Sequence, residues 1–159
     1  MELSRDKLRD QLKRREIAPV YTLYGAETYL RDAAARYMTD ISFADGELRE
    51  FNESEFSLND PNAIVTAIAA AEQLPMMASR RVVRINEVRV AATANRDTLK
   101  EEHADLVADY LARPSESSVL IFVADEMNAN RKLGKLLKQK TAAVDFRPLE
   151  DHELRKWIA

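Results

Sequence analysis

Apolar positions along the chain alternate between two spacings. From about residue 3 to 15, Leu3, Leu8 and Leu12 stand among charged side chains and Ser4 is available as a cap, a pattern that predicts an amphipathic helix. Pro19 interrupts it. The run Val20-Tyr21-Thr22-Leu23-Tyr24 is β-branched and aromatic with no polar face, as expected of a strand covered on both sides, and it stops at Gly25. Helical spacing returns over 27–41 through Tyr29, Leu30, Ala33, Ala34, Tyr37, Met38 and Ile41. The cycle then repeats, with strands predicted at 48–51, 81–85, 119–124 and 143–146. Helices are predicted at 62–71, 97–112, 129–140 and 151–158, with Pro114 closing the one over 97–112. Strands that alternate with helices of this length require crossover connections. The expected fold is therefore α/β, a three-layer arrangement of a parallel five-stranded sheet with helices on both faces. The stretch 90–95, with its three alanines, reads as a surface loop, and the last helix carries no stop signal, which predicts that the protein continues past residue 159.

Composition narrows the function classes. A chain of 159 residues with 46% hydrophobic and 32% charged residues and only 3 Gly and 5 Pro has a globular balance and room for one domain with a core. Twenty-four Lys plus Arg against 27 Asp plus Glu give a net charge of −3, so the chain has no global electrostatic drive toward nucleic acid. Cysteine is absent, which excludes disulfides, thiolate metal sites and cysteine nucleophiles. The first residues lack the order of a signal peptide and no apolar run approaches eighteen residues, so a cytoplasmic location is expected.

Ligands of open parallel sheets bind beyond the carboxyl ends of the strands, so the residues that follow each strand are the first to examine. After the first strand, Gly25-Ala26-Glu27-Thr28 has one glycine, an acidic residue and no lysine where a phosphate-binding loop needs several glycines and a Lys-Ser/Thr pair. Asp125 and Glu126 follow the fourth strand as the magnesium-holding acids of nucleoside triphosphatases do, but without a lysine loop they read as solvated residues. The third strand ends in Ile85-Asn86-Glu87, without the aspartate such a site uses. A phosphoacceptor domain needs acids after its first and third strands, where this chain has Gly25 and Asn86. His103 and His152 lie in charged helical segments and read as solvated, and no serine sits on a sharp nucleophile turn. No catalytic, cofactor or metal site is expected.

The informative segment is Leu74-Pro75-Met76-Met77-Ala78-Ser79-Arg80-Arg81, where a helix of small residues stops at a proline and is followed by two flexible apolar side chains. Leu74, Met76 and Met77 either fold back into the core or form an apolar plug offered to a partner, since methionine adapts to a shaped pocket and exposed apolar clusters mark interfaces. Arg80 and Arg81 read equally as steering charges for an acidic partner and as solvated strand-edge residues.

Taken in order, several segments resemble one family. They are Pro19-Val20-Tyr21-Thr22-Leu23-Tyr24-Gly25-Ala26-Glu27-Thr28-Tyr29-Leu30, Leu74 to Val83, Val119-Leu120-Ile121-Phe122-Val123, Arg131-Lys132-Leu133, Phe146-Arg147-Pro148-Leu149, and Leu154-Arg155-Lys156-Trp157-Ile158. Together they resemble the N-terminal domain of the bacterial DNA polymerase III delta subunit, over essentially the whole chain. The resemblance implies an AAA+ fold with a degenerate nucleotide site and no cofactor. It implies a role in DNA replication: the clamp-loader subunit that binds and opens the beta sliding clamp while other subunits hydrolyse ATP. Such a subunit is no enzyme by itself but a component of a DNA-directed DNA polymerase, a nucleotidyltransferase. The family's clamp-contacting pair maps onto Met76 and Met77, with Leu74 as a helper. The family commonly carries Leu-Phe there, so this chain keeps the apolar character with different side chains. Delta prime and tau/gamma are implied as partners through helical lid and collar domains beyond these 159 residues, with DNA in the full assembly and no membrane. Two other readings make distinct predictions. A small nucleotide-binding ATPase using Asp125 and Glu126 would be stabilised by nucleotide, and a domain that buries Met76 and Met77 would lose several kcal/mol when both become alanine.

Overall fold

A computed structural model describes residues 1–148. The elements run β1 (Glu2–Leu3), α1 (Arg5–Lys13), β2 (Val20–Tyr24), α2 (Thr28–Ser42), β3 (Glu53–Ser57), α3 (Ala63–Glu72), β4 (Arg81–Val90), α4 (Ala104–Ala112), β5 (Ser118–Met127), α5 (Lys132–Lys140) and β6 (Ala142–Asp145). The six strands form one parallel sheet in the order β1-β6-β2-β5-β4-β3.

Alternation along the central strands divides the core in two. Tyr21, Leu23, Val82, Ile121, Val123 and Val144 pack with Leu8 and Leu12 of α1 and Ala35 and Met38 of α2. Val20, Val83, Ile85, Leu120 and Phe122 point the other way, against α3, α4 and α5 through Ile64, Ile68, Val107, Leu133 and Leu137. Both faces of β2 and β5 are covered, which is why their sequences are continuous apolar runs. The single polar residue inside β2 is satisfied: the Thr22 and Thr141 hydroxyls are 2.7 Å apart and Thr141 donates onward to the Leu137 carbonyl at 2.6 Å.

The three-layer α/β architecture is the one expected, but among the described residues the sheet has six strands rather than five. The additional edge strand is Glu2–Leu3, paired with Ala143 and Val144 of β6. Two residues are too short to display a period, so Leu3 reads as helical in the sequence. The helix starts only at Arg5, after the Ser4 hydroxyl accepts the Lys7 N–H at 3.1 Å. Residues 48–51 are not a strand either: Arg49–Phe51 form a 3-10 turn and the strand follows at Glu53–Ser57. That strand is polar because it lies on the other sheet edge, where charged side chains meet water.

β4 runs five residues beyond its expected end, through a register shift between Ile85 and Val88 where Glu87 takes φ 53°. Thr98 ties this bulge down, its hydroxyl donating to the Glu87 carbonyl at 2.6 Å and accepting from the Arg89 N–H at 2.7 Å. The segment expected as one helix over 97–112 is a 3-10 turn at Glu101–His103 followed by the shorter α4, and a further 3-10 turn, Ala94–Arg96, precedes it. The helix expected over 151–158 lies outside the described residues.

Candidate functional site

Two places were singled out by the sequence: the carboxyl ends of the central strands and the segment after α3. At the first, the chain turns sharply at Gly25, with φ 121°, between β2 and α2. The backbone just beyond β6 lies directly on this turn. The Phe146 N–H donates to the Tyr24 carbonyl at 2.6 Å and the Glu27 N–H donates to the Phe146 carbonyl at 2.8 Å. A phosphate group needs free N–H groups here, and the Glu27 N–H is already bonded.

The other group over these strand ends is the Arg31 guanidinium, from the first turns of α2. Arg31 is only 5% exposed although charged. Its Nη1 donates to the Ala124 carbonyl at 2.9 Å and reaches the Gly25 carbonyl at 3.4 Å, while Nη2 lies 3.3 Å from Asp125 and Nε lies 3.4 Å from Asp32. Asp125 therefore faces a cation that the chain itself supplies. Glu126 lies 3.6 Å from Arg96, and Arg84 lies 3.5 Å from Asp32 and 3.6 Å from Glu55. The two acids that resemble magnesium ligands are engaged by arginines, and both lie inside β5 rather than after it.

The second place has a different character. α3 stops at Glu72 and Gln73 turns extended, with the Ala71 carbonyl at the helix end accepting from the buried Ser118 hydroxyl at 2.6 Å. Pro75 follows and cannot extend the helix. The next residues face outward: Leu74 is 81%, Met76 56% and Met77 77% exposed. Of the two readings open for these side chains, folding back into the core is the one not met. Three large apolar residues in four positions point into solvent, and Met77 holds φ 55°, a left-handed conformation uncommon for a side chain of its size.

This tip is fastened to the segment that precedes β3. Asn52 is fully buried, and its side-chain amide bridges the tip at two points: Oδ1 accepts the Met76 N–H at 2.7 Å and Nδ2 donates to the Met76 carbonyl at 2.7 Å. The same Nδ2 donates to the Leu48 carbonyl at 2.6 Å. Three residues further along the tip, the Ser79 N–H and hydroxyl both donate to the Glu47 carboxylate, whose other contact is the Ala44 N–H at 2.5 Å. These hydrogen bonds, that from Ala44 foremost and then those from Ser79, hold the Glu47 carboxyl below its usual pKa. Phe51, the residue before Asn52 in the chain, is also 56% exposed. None of these holding residues is visible by spacing, because Asn52 and Glu47 lie 24 and 32 residues from the groups they hold.

The remaining candidates stand apart. Arg80 is half-buried and borders an open groove with Pro19 and Arg113, and Arg81 begins β4 with its N–H on the Ser117 carbonyl at 2.8 Å. His103 is half-buried before α4, with a buried Nδ1 that has no partner, rather than solvated as its charged neighbours suggest. His152 lies outside the described residues.

Comparison with known proteins bears on the family and the fold. The family described as DNA polymerase III, delta subunit matches over residues 21–147. The DNA polymerase III subunit delta of Bacillus subtilis (strain 168) is 30% identical over 145 residues, spanning 89% of this chain and 41% of that protein. Among solved structures, the Bacillus subtilis DNA clamp loader delta protein superposes with a TM-score of 0.80 at 26% identity, over 94% of this chain and 44% of that one. A DNA polymerase III gamma subunit-related protein from Thermotoga maritima shares the fold alone, at 12% identity and a TM-score of 0.57, over 95% of this chain and 48% of that one. The chain thus spans less than half the length of these relatives.

Proposed function

Because the chain belongs to the DNA polymerase III delta subunit family, we propose that it is the clamp-binding domain of a clamp loader. On this reading it grips a ring-shaped beta sliding clamp through Met76 and Met77, helped by Leu74, and holds one interface of the ring open without hydrolysing ATP itself. The observation that carries the reading is the exposure of these three apolar side chains at the end of α3. Burying each in a partner pocket is worth roughly 1.5–3 kcal/mol, so two or three supply a large part of a micromolar interaction before ordering costs.

The mechanism is one of differential binding. A subunit shifts a ring between closed and open forms only by as much as it prefers the open one, so no covalent step and no nucleotide at this domain is required. The Arg31 and Phe146 contacts over the strand ends favour this division of labour, in which other subunits carry the ATPase. Assembly with delta prime and tau/gamma, and contact with primed DNA, would belong to the helical and collar domains expected beyond residue 159.

The test is calorimetric titration of the chain with the sliding clamp of the same organism, alongside the Met76→Ala, Met77→Ala double variant. Wild-type binding that weakens at least about tenfold, or about 1.4 kcal/mol, in a variant with unchanged melting supports the reading. Absence of wild-type binding, or equal binding by the variant, overturns it.

A further inference from the structure

The tip after α3 is a short irregular loop, and an irregular loop of exposed apolar residues would ordinarily sample many conformations. Binding through such a loop loses affinity to the entropy of ordering it, and a partner that must pry apart a closed interface has little binding energy to lose. The fold contains a group that removes this cost. Asparagine carries an acceptor and a donor in one plane, and Asn52 uses both on a single residue of the tip: its Oδ1 takes the Met76 N–H and its Nδ2 gives to the Met76 carbonyl, both at 2.7 Å. The side chain thereby imitates one rung of a β ladder. It is itself immobile, being fully buried and tied at 2.6 Å to the Leu48 carbonyl, while its own carbonyl accepts the Val82 N–H at 2.8 Å at the start of β4. Directly after the rung comes Met77 in the left-handed region, a conformation that costs energy and persists only where its surroundings impose it.

We propose that Asn52 is the positioning residue of the clamp-binding tip: it holds the Met76 backbone in a binding-ready form, fixes the direction of Met77 and touches no partner itself. This inference rests on the clamp-binding reading only for its functional consequence. Alanine at 52 removes both bonds, and aspartate keeps the shape and the acceptor but turns the donor into an oxygen facing the Met76 and Leu48 carbonyls. Serine in place of Asn52 cannot span the distance to both Met76 groups.

Three measurements on the same chain test the proposal. In the wild type, hydrogen exchange should leave the Met76 amide at least about tenfold more protected than that of Met77, which has no strap of its own; equal rates overturn the proposal without any variant. In Asn52→Ala and Asn52→Asp, 15N relaxation should show order parameters at Met76, Met77 and Ala78 dropping to about 0.6 or below while β2 and β5 stay near about 0.85. A tip that stays rigid in either folded variant overturns it. Calorimetry with the sliding clamp should show about tenfold weaker binding in the variants, the loss falling mainly in the entropy, whereas a purely structural asparagine would move melting and leave affinity untouched. If the wild type fails to bind the clamp, the clamp-binding reading falls, and the exchange and relaxation measurements still decide whether Asn52 orders the tip.

Discussion

A Cβ placed on Gly25 would stand 2.5 Å from the carbonyl carbon of Phe146, with the Phe146 oxygen and nitrogen at 2.7 and 2.8 Å. Two chain segments more than a hundred residues apart thus meet at a point where only hydrogen fits, and the φ of 121° there disfavours any side chain in addition. Neither partner can yield cheaply, because Phe146 is bonded on both sides to Tyr24 and Glu27. Gly25→Ala is expected to destabilise the fold by about 1–3 kcal/mol, from backbone strain and forced separation of β2 from the segment after β6. Urea unfolding followed by circular dichroism measures this, and a neutral substitution would contradict the packing described.

Arg31 occupies the strand ends where nucleotide-binding members of this architecture hold phosphate. Its removal leaves the buried Ala124 carbonyl without a donor and Asp125 without its cation. Arg31→Met, of similar length, is expected to cost about 1–3 kcal/mol, the usual penalty for an unpaired buried polar group. The same position predicts that magnesium and ATP leave the wild-type melting temperature unchanged at millimolar concentration. A saturable upward shift would show a working nucleotide site and revive the ATPase reading, because a ligand that binds the native state stabilises it.

The parts of this fold that were legible in the sequence are those whose residues answer to their immediate neighbours in the chain. β2 and β5 are covered on both faces, so Val20 to Tyr24 and Val119 to Ala124 stand out as apolar runs. Met76 and Met77 stood out because Pro75 announces a helix stop and two large apolar residues after it have no helical face to join, but whether they face the core or the solvent was left open. β1 was not, since Glu2 and Leu3 are a strand only by virtue of β6, 140 residues on. β3 was hidden by its polar edge position. Arg31 reads as one more charge on an amphipathic helix until the sheet brings Ala124 to it, and Asn52 reads as a turn residue until the tip closes over it. In each case the missing information is a long-range contact, which leaves no periodic trace.

Glu47 gives the tip a pH dependence of known sign. Hydrogen bonds from the Ala44 N–H and from Ser79 depress its pKa in the folded state, so its stabilising contribution is complete above the ordinary glutamate pKa and is lost as the pH falls through the lower, folded value. At neutral pH the Ser79 strap is therefore fully formed. In an NMR titration the Ser79 amide shift should move with a midpoint below the ordinary glutamate range, and in Glu47→Gln that step should disappear while the Met76 amide, held by Asn52, stays in place. A midpoint at or above the ordinary value would mean that the Ser79 bonds do not form in solution.

The exposure of Met76 and Met77 separates an interaction tip from a core element by stability alone, before any partner is added. A buried methionine truncated to alanine costs about 2–5 kcal/mol, from lost transfer energy and the cavity left behind. Met76 and Met77 are 56% and 77% exposed, and the groups that order the loop are the Met76 backbone atoms, which alanine retains. The Met76→Ala, Met77→Ala double variant is therefore expected to unfold within about 0.5 kcal/mol of wild type, the range of ordinary surface substitutions. Val83 supplies the contrast: it is fully buried within the α3-side core at the start of β4, and Val83→Ala should cost well over 1 kcal/mol in the same titration. If the methionine variant instead falls as far as the valine one, the side chains are buried in solution and the tip is part of the core. If it holds, any loss of partner binding in that variant reports the contact itself.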